Sequence, residues 1–144
     1  MRQQLQLIKS TIEQSANLAN RKDVTVYTIA TGSHYKQPSV IVKIGNGSGP
    51  GIVISAHMDT LSSYLSKKPG ADDNGSGSAT VLETAQNLLS SGMTFNKPIY
   101  FMWFAAEEEG MVGSGYVVRE FKNQNSPVEA VLHFDMTGFT YKNQ

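Results

Sequence analysis

The sequence predicts an α/β fold, a three-layer α/β/α arrangement with helices on both faces of a mixed, mostly parallel sheet. Two observations carry this. Runs of β-branched and aromatic residues alternate along the chain with stretches whose apolar residues recur at helical spacing, the pattern of a sheet covered by helices. Several of the strand runs are also apolar throughout, as in strands buried on both faces.

The first element is an amphipathic helix over residues 2–20, with Leu5, Ile8, Ile12 and Ala16 on one side. The β-branched runs "DVTVYTIA" (23–30) and "SVIVKI" (39–44) predict strands separated by a Gly, Ser, His and Pro loop. "GIVISAH" (51–57) follows the turn signal "GNGSGP" and predicts a continuous buried strand. Residues 76–91 place Val81, Leu82, Ala85, Leu88 and Leu89 at helical spacing, with Gly92 suited to ending the helix. "KPIYFMWFA" (97–105) predicts another buried strand, its proline at the end where no ladder donor is needed. A short helix over 113–122, around Val117, Val118 and Phe121, and a strand "EAVLHFD" (129–135) complete the series.

Composition narrows the function. A chain of 144 residues with 40% hydrophobic and 17% charged content makes one globular domain, not a disordered segment. No internal repeat or long linker divides it, so residues 1–144 read as a single domain. Twelve basic residues balance twelve acidic ones, which leaves no global field for nucleic acid or an anionic membrane. The longest apolar run, "IYFMWFAA", is far shorter than the ~20 residues of a membrane-spanning helix. The opening "MRQQLQLIKS" lacks the apolar core of a signal peptide. With no cysteine, disulfide and thiolate chemistry are excluded.

In such sheets the ligand crevice lies at the carboxyl ends of the parallel strands. Potential metal ligands follow three strand runs: His57 after "IVISA", Glu107 and Glu108 after "FMWFAA", and Asp135 after "AVLHF". Asp72 and Asp73 precede the helix at 76–91, where acids also serve as caps. Each group alone has an ordinary structural explanation. Together at one sheet edge they would repel, and a divalent cation removes that cost. One histidine with several carboxylates suits zinc, manganese or cobalt. "DDNGSGSATVLE" (72–83) also fits a calcium loop through Asp72, Asn74, Ser76, Gly77 and Glu83. Against that, Pro69 and Gly70 stand where the entering helix should end, and the next helix begins inside the loop.

"SAHMDT", "PGADDNGSGSATVLE", "FAAEEEGMVGS" and "HFDMTGF" resemble, in order and interval, the four motifs of the co-catalytic dizinc aminopeptidases. That family includes the bacterial secreted leucyl aminopeptidases. The motifs cover about residues 50–140, and residues 1–50 carry none. The resemblance implies a zinc-peptidase-like fold and removal of N-terminal residues from peptides by a water activated by two zincs. It implies that His57 and Asp135 bind one zinc, that Glu108 binds the other, and that Asp73 bridges them, with Asp72 a neighbour only. Glu107 would be the general base. Asp59 would hydrogen-bond the His57 imidazole and fix its tautomer. The peptide bond after the bridging aspartate, Asp73–Asn74, would be cis. Glu107 and Glu108 can take different roles because successive side chains diverge along a strand, and Glu109 is left solvated.

The resemblance further implies a secreted or periplasmic protein acting on peptides. Family domains continue past the last motif and supply a final histidine for the second zinc, a tyrosine and much of the substrate pocket, yet no histidine follows His133 here. The chain is therefore expected to be part of a catalytic domain, with its C-terminal part missing. One zinc should bind well and the second weakly, hydrolysis should be weak or absent, and an exposed sheet edge should favour self-association. A noncatalytic zinc-binding fragment, a related carboxypeptidase and a glutaminyl cyclase are the alternatives. His133 is expected to be packed or hydrogen-bonded, His34 to be a loop residue, Tyr100, Phe101 and Trp103 to be core, and Lys67 and Lys68 to be solvated beside the cleft.

Overall fold

A computed structural model describes residues 2–61 and 69–140; Lys67 and Lys68 lie outside the described residues. The elements are α1 (Arg2–Leu18), β1 (Val24–Ile29), β2 (Ser39–Ile44), β3 (Gly51–His57), α2 (Gly77–Ser90), β4 (Ile99–Phe104), α3 (Val112–Asn123) and β5 (Val128–His133). A helical turn, Ala71–Ser76, leads into α2. The strands form one sheet in the order β1-β2-β4-β3-β5. β1 pairs antiparallel with β2 and β2 with β4, whereas β4, β3 and β5 run parallel. The sheet is thus mixed, with its parallel half on the β5 side.

The apolar stripes read from the sequence face this sheet. Ile8, Ile12 and Ala16 of α1 and Val81, Ala85 and Leu89 of α2 pack on Val42, Ile44, Phe101 and Trp103. On the opposite face, Val117 and Phe121 of α3 meet Ile41, Val53, Tyr100 and Met102, with the Tyr100 and Phe121 rings edge to face at 5.0 Å. β2 and β4 are covered on both sides, which explains their unbroken apolar runs. The Trp103 indole N–H donates to Ser78 O at 3.1 Å, tying β4 to α2.

Helix ends follow from local chemistry. Gly92 takes the left-handed conformation (φ 71) just past α2, as a C-terminal glycine should. Asn20 (φ 50) does the same past α1, where Arg21 N donates to Ala16 O at 2.9 Å. Pro98 stands just before β4, and its carbonyl accepts Ile52 N at 3.0 Å. Among the described residues no helix is long and apolar enough to cross a membrane.

The register sets His57 beside Phe104 and Ser55 beside His133, so the three parallel strands finish at one edge. The loops that follow, together with the turn before α2, carry the candidate ligands.

Candidate metal centre

His57 ends β3 with its side chain only 1% exposed. Ser78 Oγ of α2 donates to its carbonyl at 2.8 Å, and Nδ1 lies 3.1 Å from Asp59 O. A carbonyl only accepts, so Nδ1 carries the hydrogen and Nε2 of the neutral ring keeps its lone pair. Three carboxylates face that nitrogen: Asp73 Oδ1 at 3.3 Å, Asp135 Oδ1 at 3.5 Å and Glu107 Oε2 at 3.9 Å. Ligand atoms of His57, Asp73 and Asp135 all lie within 4.8 Å of one another.

Burial alone would push the His57 imidazole down. Its contact with Asp59 and the charges of Asp135, Glu107 and Asp59 outweigh that and raise it to about 9. The cluster therefore draws positive charge to Nε2. A divalent cation satisfies the same demand, and a borderline nitrogen with two hard oxygens is a donor set zinc accepts.

Asp73 lies in the turn Ala71–Ser76, which departs from helical geometry at Asp73 (φ −100, ψ 95) and Asn74 (φ −126, ψ 50). The Asp73–Asn74 peptide is cis. Asp135 follows β5, whose end is held where Phe134 N donates to Ser55 O at 2.8 Å.

Glu107 and Glu108 separate in a different way from the strand alternation expected. β4 stops at Phe104, Ala106 turns to positive φ (52), and the two glutamates stand in the ensuing turn. Their amides donate to the two carboxylate oxygens of Asp59, at 3.0 Å from Glu107 and 3.2 Å from Glu108. Glu107 then reaches toward His57, while Glu108 Oε1 accepts Leu61 N at 3.2 Å. Burial first, and then the charge of Asp73, raises Glu108 above the usual carboxylate range; the ligand atoms that lie within 4.8 Å of one another are those of His57, Asp73 and Asp135. Glu109 is exposed.

Asp59 meets His57 through two groups. Its backbone oxygen takes the imidazole hydrogen bond, while its carboxylate lies 3.6 Å from Nδ1. Burial would raise that carboxylate, but His57 and the Glu107 and Glu108 amides hold it below its usual range. An aspartate just past β3 faces the turn after β4, and two N–H donors there claim it.

The calcium-loop pattern dissolves. Asp72 accepts Ser76 Oγ and Gly138 N, Asn74 accepts Gly77 N, and Glu83 accepts Asn87 Nδ2.

Residues 39–144 match the family model described as Peptidase family M28. The chain belongs to that peptidase family.

Leucine aminopeptidase 1 of Paracoccidioides brasiliensis (strain Pb03) is 37% identical over 119 residues, 78% of this chain and 31% of that protein. Leucine aminopeptidase 1 of Aspergillus oryzae is 34% identical over 139 residues, 92% of this chain and 35% of its own. The crystal structure of Legionella pneumophila LapA aminopeptidase matches with a TM-score of 0.86 at 50% identity, covering 92% of this chain and 35% of that one. The chain thus spans about a third of the length of the curated relatives it matches. Porphyromonas gingivalis glutaminyl cyclase, 20% identical with a TM-score of 0.74, shares the fold.

Within this M28 chain, Asn74 enters the sequence reading only as a calcium-loop position and as half of the cis peptide, yet its amide contacts three backbone groups around the centre. The available signal was an asparagine, both donor and acceptor, beside Asp73 in a glycine-rich turn. His133 is hydrogen-bonded, its Nδ1 lying 3.0 Å from Ser55 Oγ, and it stacks on Phe104. A groove of about 880 Å³, floored by Val53, Met102 and Val131 and walled by Val117 and Phe121, opens onto Glu107 and Asp135.

Proposed function

We propose that this chain is the metal-binding part of a zinc aminopeptidase and that it holds one zinc by itself. The observation that carries this is the convergence of His57, Asp73 and Asp135 on one point, with the Glu107 carboxylate beside them. His57 Nε2, Asp73 and Asp135 would hold the first zinc; Asp73 and Glu108 would share the second. Bound there, zinc supplies Lewis acidity to the scissile carbonyl of a peptide and makes a water more acidic. Glu107, outside the ligand set, would accept a proton from the attacking water at Oε2 and pass it to the leaving amine. Asp59 holds the Glu107 amide and so sets where that carboxylate stands.

The substrate in this reading is the amino-terminal residue of a peptide, in keeping with relatives named leucine aminopeptidases. Export of the whole protein is part of the proposal and is tested by finding it outside the cells that make it. So is self-association of this chain, supported by β5, every residue of which is exposed.

Calorimetric titration with zinc tests the centre. The expected result is one tight site and a second much weaker one, since the second position has only two carboxylates from this chain. Turnover of a leucyl anilide by the chain alone should be near background. Glu107→Gln should leave the tight site unchanged, whereas His57→Ala should remove it. Zinc binding that survives His57→Ala would overturn the assignment.

A further inference from the structure

Asp73 and Asp135 are far apart in the chain and come from different elements, so something must fix the distance between them. Asn74, next to Asp73, is 2% exposed and spends its side chain on that task. Nδ2 donates to Phe134 O at 2.9 Å, and Oδ1 accepts Met136 N at 3.3 Å. These are the backbone groups immediately before and after Asp135. Oδ1 also accepts Gly77 N at 3.0 Å, at the start of α2. A helix cap would require only this last bond.

The approach is close enough to constrain its neighbour. A Cβ at Gly77 would meet Asn74 Oδ1 at 2.2 Å and Phe134 O at 2.5 Å. Asp72 supports the same junction, its Oδ1 accepting Gly138 N at 3.0 Å. No other side chain of this length offers both functions: aspartate lacks the donor and leucine lacks both. Because the amide is buried, losing any of the three bonds leaves a backbone group unsatisfied, and the loop around Asp135 gains freedom.

We infer that Asn74 is a positioning residue of the metal centre, clamping the backbone on either side of Asp135 to the turn that carries Asp73. The inference rests on the metal-centre reading above. The clamp raises metal affinity because Asp73 and Asp135 are held at ligand spacing before the ion arrives.

The test compares Asn74→Ala with Leu89→Ala, a core change in α2 away from the centre, in the 144-residue chain. Asn74→Ala should weaken the tight zinc site by about 10–100-fold. Leu89→Ala should lower the melting temperature but leave zinc affinity within about twofold. Asn74→Asp, which keeps the acceptor and loses the donor, should lose part of the affinity and serves if the alanine variant does not fold. Wild-type affinity in both Asn74 variants, or an equal loss in Leu89→Ala, overturns the inference. Amide exchange separates this from the metal reading. In the metal-free chain the Met136 amide should lose protection in Asn74→Ala and keep it in Leu89→Ala, and unchanged protection in Asn74→Ala overturns the clamp. A wild-type chain that takes up no zinc overturns the metal reading alone, leaving the exchange result to decide the clamp.

Discussion

The two edges of the sheet are built in opposite ways. β1 is an edge strand, but its Val24 and Val26 pack on the core under α1. Just before it, Arg21 makes a two-pronged ion pair with Asp23, both N–O distances 2.7 Å, and its guanidinium lies over Phe95. Among the described residues β5 has one strand partner and no covered face: Val131 is 61% exposed and Leu132 48%. Yet β5 leads to Asp135, and the chemistry gathers at its end. The well-packed edge takes its geometry from apolar burial, which is non-directional and adds up over area. The open edge has little such burial, so its geometry comes from directional polar contacts: Asn74 to the backbone around Asp135, Asp72 to Gly138, and Ser55 to His133.

The largest effect should mark this contrast directly. Trp103→Ala, in the covered centre of the sheet, should cost about 3–5 kcal/mol of unfolding free energy. Val131→Ala on β5 should cost less than about 0.5 kcal/mol. Urea melts of both variants measure the difference, and a large cost at Val131 would show that β5 is covered in solution by another copy of the chain. Val131→Lys should then shift sedimentation toward the monomer.

A metal should stiffen the open edge. With free zinc at about 100 times its dissociation constant, the chain should gain about 2.7 kcal/mol of stability. A thermal shift series with and without a chelator reads this, and Asp135→Ala should abolish the gain. An unchanged shift in that variant would detach β5 from the centre.

The smallest effect belongs to the β1 edge. The hydrogen bonds from Arg21 hold Asp23 below the usual carboxylate range. A depressed folded value means that the pair's contribution is present above the unfolded carboxylate pKa and is lost as pH falls through the folded one. Because the pair is partly solvated, its worth is about 1 kcal/mol or less. Asp23→Asn should therefore cost that much near neutrality and close to nothing at strongly acidic pH. A difference that persists in acid would mean that the pair acts through packing.

Much of the fold was legible because helices and strands bury their apolar residues with different periods. Ile8, Ile12 and Ala16, or Val81, Ala85 and Leu89, mark a buried helical stripe by their spacing alone, and "SVIVKI" spans Ser39–Ile44, the observed β2. "EAVLHFD" does form a strand, Val128–His133, and lies at an edge of the sheet. Its exposure is set by which element lies beside it and not by the strand's own composition.

What the sequence by itself determined is the set of ingredients: the α/β order, the stripes that pack on the sheet, and His57, Asp73, Glu107, Glu108 and Asp135 near the carboxyl ends of its strands. The elements are local matters, set by periodicity; His57, Glu107, Glu108 and Asp135 follow strand runs, whereas Asp73, before a helix, is singled out from Asp72 only by the family resemblance. Tertiary structure alone decided how they are shared out. Ala106 turning to positive φ and Asp59 taking two amides send Glu107 toward His57 and Glu108 toward Leu61. Asn74 binds the backbone on both sides of Asp135. A hydrogen bond depends on tenths of an ångström and on angle between groups distant in the chain, and that geometry exists only once the packed sheet has brought them together.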